Sequence, residues 1–176
     1  MFKLVVLGQG GVGKTSLVNR LVLGEYQEEF AAPTIGCRVH ALEVELEPCV
    51  KFGVEIWDTS GQEAYRPFLP LYASGADCFL ICFDLFLWES FAWAKAAAIE
   101  QFYRAGVETR LVLVGLQSDK EGEGRVVGGP EFVNEKLDGR GTYCEVSAKT
   151  SQNASEMLAQ VGSMLYYKQR TGRPWE

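Results

Sequence analysis

Short apolar runs and glycine-rich or polar breaks alternate along the chain in a regular order. A first strand is predicted at residues 2–7, followed by a Gly-rich turn and a helix over residues 14–23. Two continuously apolar runs, residues 78–83 and 111–114, are typical of strands that are buried on both faces of a sheet. The pattern therefore predicts an α/β protein with a mostly parallel sheet.

An antiparallel hairpin is predicted between residues 39–46 and 50–57, because Pro48 cannot continue a central strand. Apolar Val44 and Leu46 alternate with glutamates, as on a half-exposed strand at an edge of the sheet. We therefore expect one antiparallel hairpin strand beside the parallel ones.

Three further helices are predicted between and after the remaining strands. They span residues 88–104, residues 130–136, where proline stands at the helix start, and residues 153–168, where apolar residues recur at helical spacing. A strand at residues 142–146 precedes the last helix. Strands that alternate with helices imply right-handed crossovers, so we expect six strands with helices on both faces of the sheet.

Composition limits the function classes. The 176 residues fit one domain, predicted to span residues 1–168 with a short tail at residues 169–176. The formal net charge of −6 argues against general binding to nucleic acid or anionic lipid, so an anionic ligand needs a local site. His40 is the only histidine, and the five cysteines form no C-x-x-C pair. Histidine-based catalysis, structural zinc and a disulfide framework are therefore poor interpretations.

A phosphate-binding loop is predicted at residues 8–15, where GQGGVGKT matches G-x-x-x-x-G-K-[ST] between a predicted strand and a predicted helix. The backbone N–H groups of such a loop point at phosphate oxygens, and the helix N-terminus adds positive potential. Lys14 is predicted to reach the terminal phosphates and Thr15 to bind magnesium. The predicted nucleotide contacts of this segment are Gly8, Gly10, Gly11, Val12, Gly13, Lys14, Thr15 and Ser16.

A second motif, WDTSGQE at residues 57–63, places an aspartate at the end of an apolar strand, where α/β sheets bind their ligands. Asp58 is predicted to bind magnesium, and the Gly61 N–H to approach a terminal phosphate. The Gln62 amide can both accept a hydrogen bond from an attacking water and donate one to it, so Gln62 is the predicted catalytic glutamine. Taken alone, the motif is also typical of a helix N-terminus capped by its threonine or serine.

Together these motifs resemble those of the Ras superfamily of small GTPases over nearly the whole chain. PTIG at residues 33–36 resembles the first switch segment, WDTSGQE the second, and EVSAK at residues 145–149 the guanine-contacting segment. The resemblance implies a P-loop NTPase G-domain that binds GTP or GDP with Mg²⁺ and hydrolyses GTP slowly. It implies Thr15, Thr34 and Asp58 as magnesium ligands, and Lys14, Thr34 and Gln62 as catalytic residues.

The resemblance also implies a guanine site. Tyr26 would flank the base, Ala148 would offer its backbone N–H to the guanine carbonyl, and Asp119 could pair with two N–H donors of the base. Further nucleotide contacts are predicted for Gln117, Ser147 and Lys149.

One motif departs from the family pattern. The N-K-x-D segment reads Leu116-Gln117-Ser118-Asp119, so the asparagine and the lysine are replaced. We expect nucleotide binding to be weaker and exchange faster, by about ten- to a thousandfold. The alternative is that Leu116 packs in the core and other contacts compensate.

Within the superfamily the chain is most similar to Rab proteins, especially those of early endosomes, although RPFLPLYASGADCFLICF also resembles the Rho branch. The Rab effector patch would map onto Val39, Trp57 and Tyr72. The resemblance implies a monomeric switch in vesicle trafficking, with effectors at both switches and with GTPase-activating and exchange proteins as partners. A Rho-like signalling GTPase and a rapidly exchanging or non-cycling scaffold are the alternatives.

Membrane attachment is expected only if a prenylated tail is missing from this chain. Rab and Rho proteins usually end in prenylated cysteines, whereas the last cysteine here is Cys144. The expected location is the cytoplasm, or the periphery of intracellular membranes.

Overall fold

The computed structural model describes residues 1–27, 32–47, 50–105, 109–126, 128–137 and 139–171. The strands are β1 (Phe2–Leu7), β2 (Cys37–Glu47), β3 (Val50–Thr59), β4 (Cys78–Asp84), β5 (Arg110–Leu116) and β6 (Gly141–Val146). The helices are α1 (Lys14–Leu23), α2 (Leu69–Ala73), α3 (Trp88–Arg104), α4 (Gly129–Lys136) and α5 (Ala154–Thr171), with a 3-10 helix at Glu63–Phe68.

The six strands form one sheet in the order β2-β3-β1-β4-β5-β6. Strand β2 runs antiparallel to β3, and every other neighbouring pair is parallel. This confirms the predicted α/β fold with one antiparallel hairpin strand, which lies at an edge of the sheet. The hairpin turn predicted at Pro48 lies outside the described residues.

Two apolar layers cover the sheet, because side chains of successive strand residues point to opposite faces. In β1, Leu4 and Val6 pack in the layer beneath α1 and α5, whereas Val5 and Leu7 pack in the layer beneath α3 and α4. All four side chains are almost fully buried. Burial on both faces explains the continuously apolar runs of the central strands.

Two short helices after β3 differ from the expectation, since the sequence did not predict the 3-10 helix or α2. Neither has a buried residue, and both contain a proline, so no apolar stripe marks them. Helix α5 continues to Thr171, beyond the predicted end at residue 168. Within the described part of the chain, no helix is both long and apolar enough to span a membrane.

The fold brings the motifs together at the carboxyl-terminal ends of the parallel strands. The phosphate loop follows β1, Asp58 is the last residue but one of β3, and Leu116 ends β5. The Ser147 segment follows β6. Since β1, β3, β5 and β6 are parallel, their carboxyl ends lie on the same side of the sheet, which is where α/β proteins bind ligands.

Candidate functional site

The phosphate loop is a tight turn between β1 and α1. A Cβ on Gly8 would lie 2.6 Å from the Cys82 carbonyl oxygen, so the backbone packs directly against β4. Gly13, immediately before α1, has φ of 106°, a conformation that residues with a side chain rarely adopt. The glycines at these two positions are therefore required by the geometry.

Lys14 crosses the loop from the first turn of α1. Its side chain is buried, and Nζ donates hydrogen bonds to the carbonyl oxygens of Gly8 (2.8 Å) and Gln9 (2.7 Å). Burial lowers the pKa of the Lys14 ammonium, while Cys82 and Asp58 raise it. A phosphate group beside Lys14 would favour the charged form, because opposite charges stabilise each other.

The three predicted magnesium ligands meet beside Lys14. The Thr15 Oγ1 hydroxyl donates to Asp58 Oδ2 over 2.8 Å, and it also lies 2.8 Å from Thr34 Oγ1. Asp58 is fully buried, and burial raises the pKa of its carboxyl, although the Thr15 hydrogen bond and Lys14 lower it. Among the described residues Asp58 Oδ1 has no hydrogen-bond partner.

This group of side chains fits Mg²⁺. A carboxylate and two hydroxyl oxygens are hard ligands, and an ion or its water shell could satisfy the unpaired Asp58 Oδ1. The described residues contain no group of three or more His, Cys, Asp or Glu side chains that could hold a metal. Mg²⁺ needs no such group, because it usually takes one or two carboxylates together with phosphate oxygens and water.

The second switch segment touches the phosphate loop. A Cβ on Gly61 would lie 2.4 Å from the Gln9 carbonyl carbon and from the Gly10 nitrogen, so only glycine fits without a shift. Ser60 Oγ accepts a 3.2 Å hydrogen bond from the Gln62 N–H, and the Gln62 side chain is exposed. Gln62 therefore lies beside the loop with its amide open to solvent.

The alternative that the motif is a capped helix start holds only in part: a helix does begin at its last residue, but neither its threonine nor its serine is the N-cap. The 3-10 helix begins at Glu63, and the N-cap residue before it, Gln62, makes no capping side-chain hydrogen bond. Thr59 Oγ1 instead donates to the Val6 carbonyl oxygen over 2.6 Å. The threonine thus fixes β3 to β1 close to Asp58.

On the predicted base side, Asp119 and Ser147 lie together. Ser147 Oγ donates to Asp119 Oδ1 over 2.6 Å and accepts from the Thr150 N–H over 3.0 Å. Ser147 is fully buried, whereas Ala148 and Tyr26 are half-buried and Lys149 is exposed. The structure therefore joins the two segments expected to contact guanine.

The two altered positions have found other partners. Leu116 is buried in the layer with Val12 and Val146, and its Cδ1 lies 3.6 Å from where a Cβ on Gly13 would be. Gln117 has φ of 68°, and its Nε2 donates to Asp84 Oδ2 over 2.5 Å. At the position of the family's asparagine, Leu116 thus makes apolar contacts. At the position of the lysine, Gln117 makes a hydrogen bond to β4.

The predicted effector residues lie near the first switch segment. Val39 pairs with Trp57 across β2 and β3, and Val39 is 51% exposed. The Tyr72 hydroxyl oxygen lies 3.6 Å from where a Cβ on Gly36 would be. Lys3 Nζ lies 3.7 Å from the centroid of the Trp57 ring, a cation–π contact. This surface combines partly exposed apolar side chains with one positive charge.

The family of the chain follows from a comparison with family models. The model of the Ras family matches residues 3–166 of the 176. The chain belongs to the Ras family. Ras-family proteins are small GTPases that act as switches and bind guanine nucleotide and Mg²⁺. The match covers the predicted phosphate loop, both predicted switch segments and the segment expected to contact guanine.

Two residues of this Ras-family site were not found from the sequence. Asp84 lies at the end of β4 and holds Gln117 through Oδ2, while its Oδ1 accepts from the Phe86 N–H over 2.8 Å. Arg20, in the last turn of α1, donates to the carbonyl oxygens of Ala148 and Lys149. Neither belongs to a motif, and both contacts join segments far apart in sequence, so the sequence carries no local signal for them.

Proposed function

We propose that this Ras-family protein is a GTP/GDP-dependent switch with slow, Mg²⁺-dependent GTP hydrolysis and an altered guanine site. One observation carries the proposal: Thr15 Oγ1 lies within hydrogen-bond distance of both Thr34 and Asp58, and Asp58 Oδ1 is buried and unpaired among the described residues. A buried carboxylate oxygen of this kind costs free energy unless an ion or water satisfies it.

Each residue of the site has a role in the proposed reaction. Lys14 and the loop N–H groups hold the phosphates, while Thr15, Thr34 and Asp58 hold Mg²⁺. Bound Mg²⁺ neutralises charge that develops on the phosphate oxygens. Gln62 orients the attacking water, so the chain contributes mainly positioning. We expect a GTPase-activating partner to supply an arginine, with a gain of about 10³ to 10⁵.

The output of the switch is proposed to be the surface around Val39, Trp57 and Tyr72. Thr34 and Gly61 are the residues that would sense the third phosphate, and the segments that carry them adjoin this surface. The Tyr72 hydroxyl, which lies 3.6 Å from where a Cβ on Gly36 would be, supports the coupling. Loss of the third phosphate would release both segments and remove the arrangement that an effector recognises.

The proposed branch is Rab-like, with a role in vesicle or membrane trafficking. Its support is the sequence likeness around the first switch, around the WDTSGQE motif and in SAKTSQNASEM. We propose a monomer in the cytoplasm, which would contact intracellular membranes only if a prenylated tail is missing from this chain. Effectors, activating proteins and exchange proteins are its proposed partners.

The altered guanine site is proposed to weaken nucleotide binding. The Leu116 side chain offers no polar atom to the phosphate loop or to the base, and the Gln117 side-chain amide is already bonded to Asp84. Asp119 and the Ser147 segment remain, which supports a preference for guanine over adenine.

A single-turnover assay tests the proposal. The protein is loaded with GTP in EDTA, and phosphate release is followed after addition of Mg²⁺. We expect slow release that depends on Mg²⁺ and that falls more than about tenfold in Gln62→Leu. Gln160→Leu is the matched control, since Gln160 is exposed on α5, and it should behave as the wild type.

A non-cycling scaffold is the second candidate, favoured by the apolar Leu116 and by the bond between Gln117 and Asp84. In that case Mg²⁺ would start no phosphate release, and Gln62→Leu would change nothing. The same assay therefore separates the two functions.

A further inference from the structure

The Arg20 guanidinium joins two segments on the guanine side of the protein. Nε donates to the Ala148 carbonyl oxygen over 2.7 Å, and one terminal nitrogen donates to the Lys149 carbonyl oxygen over 3.0 Å. The other terminal nitrogen donates to the Gly24 carbonyl oxygen over 2.6 Å. Each nitrogen of one side chain thus holds a different carbonyl group.

Helix capping does not account for this arrangement. Arg20 lies in the last turn of α1, and its bond to Gly24 alone would satisfy a carbonyl group at the helix end. The other two acceptors lie 128 and 129 residues away in sequence, after β6. The three acceptors are reached from three different nitrogens of the planar guanidinium. A lysine would have to reach all three from its single ammonium nitrogen.

The acceptors adjoin both sides of the predicted base site. Ala148 is the residue expected to donate its backbone N–H to the guanine carbonyl, and the bond from Arg20 fixes the next peptide along the chain. Gly24 lies two residues before Tyr26, which is expected to flank the base. A charged donor strengthens each of these hydrogen bonds relative to a neutral one.

The other wall of the predicted base site provides fewer side-chain contacts for the base than the family pattern would. Leu116 packs in the core, and Gln117 bonds to Asp84. We propose that Arg20 is a positioning residue for guanine recognition, holding the Ala148 segment and the segment that leads to Tyr26 in register. This inference rests on the proposed function as a guanine-nucleotide switch. Arg20 acts through the Ala148 N–H and Tyr26 and touches no phosphate-binding residue in the hydrogen bonds described.

The test compares Arg20→Gln and Arg20→Lys with the wild type and with Arg104→Gln. Arg104 is an exposed helix arginine that pairs with Glu100, so it controls for the loss of a surface charge. Two quantities are measured: the dissociation rate of fluorescent N-methylanthraniloyl-GDP, and the ratio of the affinities for GDP and ADP from competition. A merely structural role would weaken both nucleotides equally and leave the ratio unchanged.

We expect the GDP dissociation rate to rise about tenfold in Arg20→Gln, and the GDP/ADP affinity ratio to fall by a similar factor. Arg20→Lys should lie close to Arg20→Gln, and Arg104→Gln should match the wild type. Equal dissociation rates in Arg20→Gln and wild type, or an unchanged ratio, overturn the inference while leaving the switch intact. A wild-type protein that binds no guanine nucleotide overturns the proposed function and this inference with it.

Discussion

The side-chain amide of Gln117 donates a 2.5 Å hydrogen bond to the carboxylate of Asp84. The other oxygen of that carboxylate accepts from the Phe86 N–H, so Asp84 is held by its own turn after β4. Gln117 is thereby directed to the neighbouring strand, and Leu116 beside it points into the core. The Leu116–Gln117 pair, which replaces two polar residues of the family pattern, is thus integrated into the packing of the fold.

Restoring both residues should slow nucleotide release. In the double variant Leu116→Asn/Gln117→Lys, the asparagine regains hydrogen-bonding atoms and the lysine stem can cover the base. We expect the GDP dissociation rate to fall by about ten- to a thousandfold, measured by release of a fluorescent GDP analogue. An unchanged rate would show that other contacts already compensate.

Leu116→Asn alone should lower the stability of the fold. Leu116 is 2% exposed and packs among apolar side chains, so a polar replacement should destabilise the nucleotide-free protein by about 2 to 5 kcal/mol. Thermal unfolding without nucleotide measures this loss. A variant as stable as the wild type would contradict the packing role of Leu116.

The sequence predicts the sheet, and it marks the residues that the fold brings together at the phosphate loop, because both depend on local signals. Apolar runs mark β4 and β5, and the G-x-x-x-x-G-K-[ST] spacing marks Lys14 and Thr15. The contacts of Arg20 and Asp84 are different, since each depends on which segments the completed fold places side by side. The exposed 3-10 helix and α2 were missed for another reason: they bury no residue, and burial creates the periodic pattern from which helices are recognised.

Gly61 should tolerate no side chain. A Cβ there would meet backbone atoms of Gln9 and Gly10 at 2.4 Å, and backbone cannot move aside as a flexible side chain can. We expect Gly61→Ala to push the second switch segment from the loop and to lower the single-turnover GTP hydrolysis rate more than about tenfold. Gly53→Ala in β3 is the control, since its Cβ would meet only the Met1 side chain at 3.3 Å. Equal rates in the two variants would contradict the close contact.

The Cys37 thiol at the start of β2 should react slowly at neutral pH. Burial raises its pKa from 9.0 to about 11, with Asp58 adding to the shift. The thiolate is the reactive form, and at pH 8 roughly one Cys37 thiol in a thousand is ionised, against about one in ten for the unshifted value. The rate of iodoacetamide labelling at Cys37, followed by peptide mass spectrometry, should therefore still rise about tenfold per unit between pH 8 and 9.5. In urea, where the pKa is near the unshifted 9.0, the labelling rate of the same peptide should already flatten above pH 9. A similar flattening in the folded protein would contradict the burial of Cys37.

Asp58→Asn should weaken magnesium binding without lowering the stability of the metal-free protein. The buried carboxylate has an oxygen without a partner among the described residues, and burial raises its pKa because the charged form is poorly solvated. A neutral amide removes that charge, so in EDTA the variant should be at least as stable as the wild type. Without the carboxylate, however, Thr15 and Thr34 offer only neutral oxygens to the ion.

The measurement is thermal unfolding with GDP, in EDTA and in millimolar Mg²⁺. Ligand at 100 times its Kd adds about 2.7 kcal/mol, which for a protein of this size raises Tm by roughly 5 to 10 °C. We expect this rise in the wild type and none in Asp58→Asn. Asp77→Asn is the matched control, because Asp77 pairs with Lys168 and accepts from the Lys3 N–H away from the site. It should lower Tm in both buffers and keep the response to Mg²⁺. A full Mg²⁺ response in Asp58→Asn would mean that the unpaired oxygen is not where the ion binds.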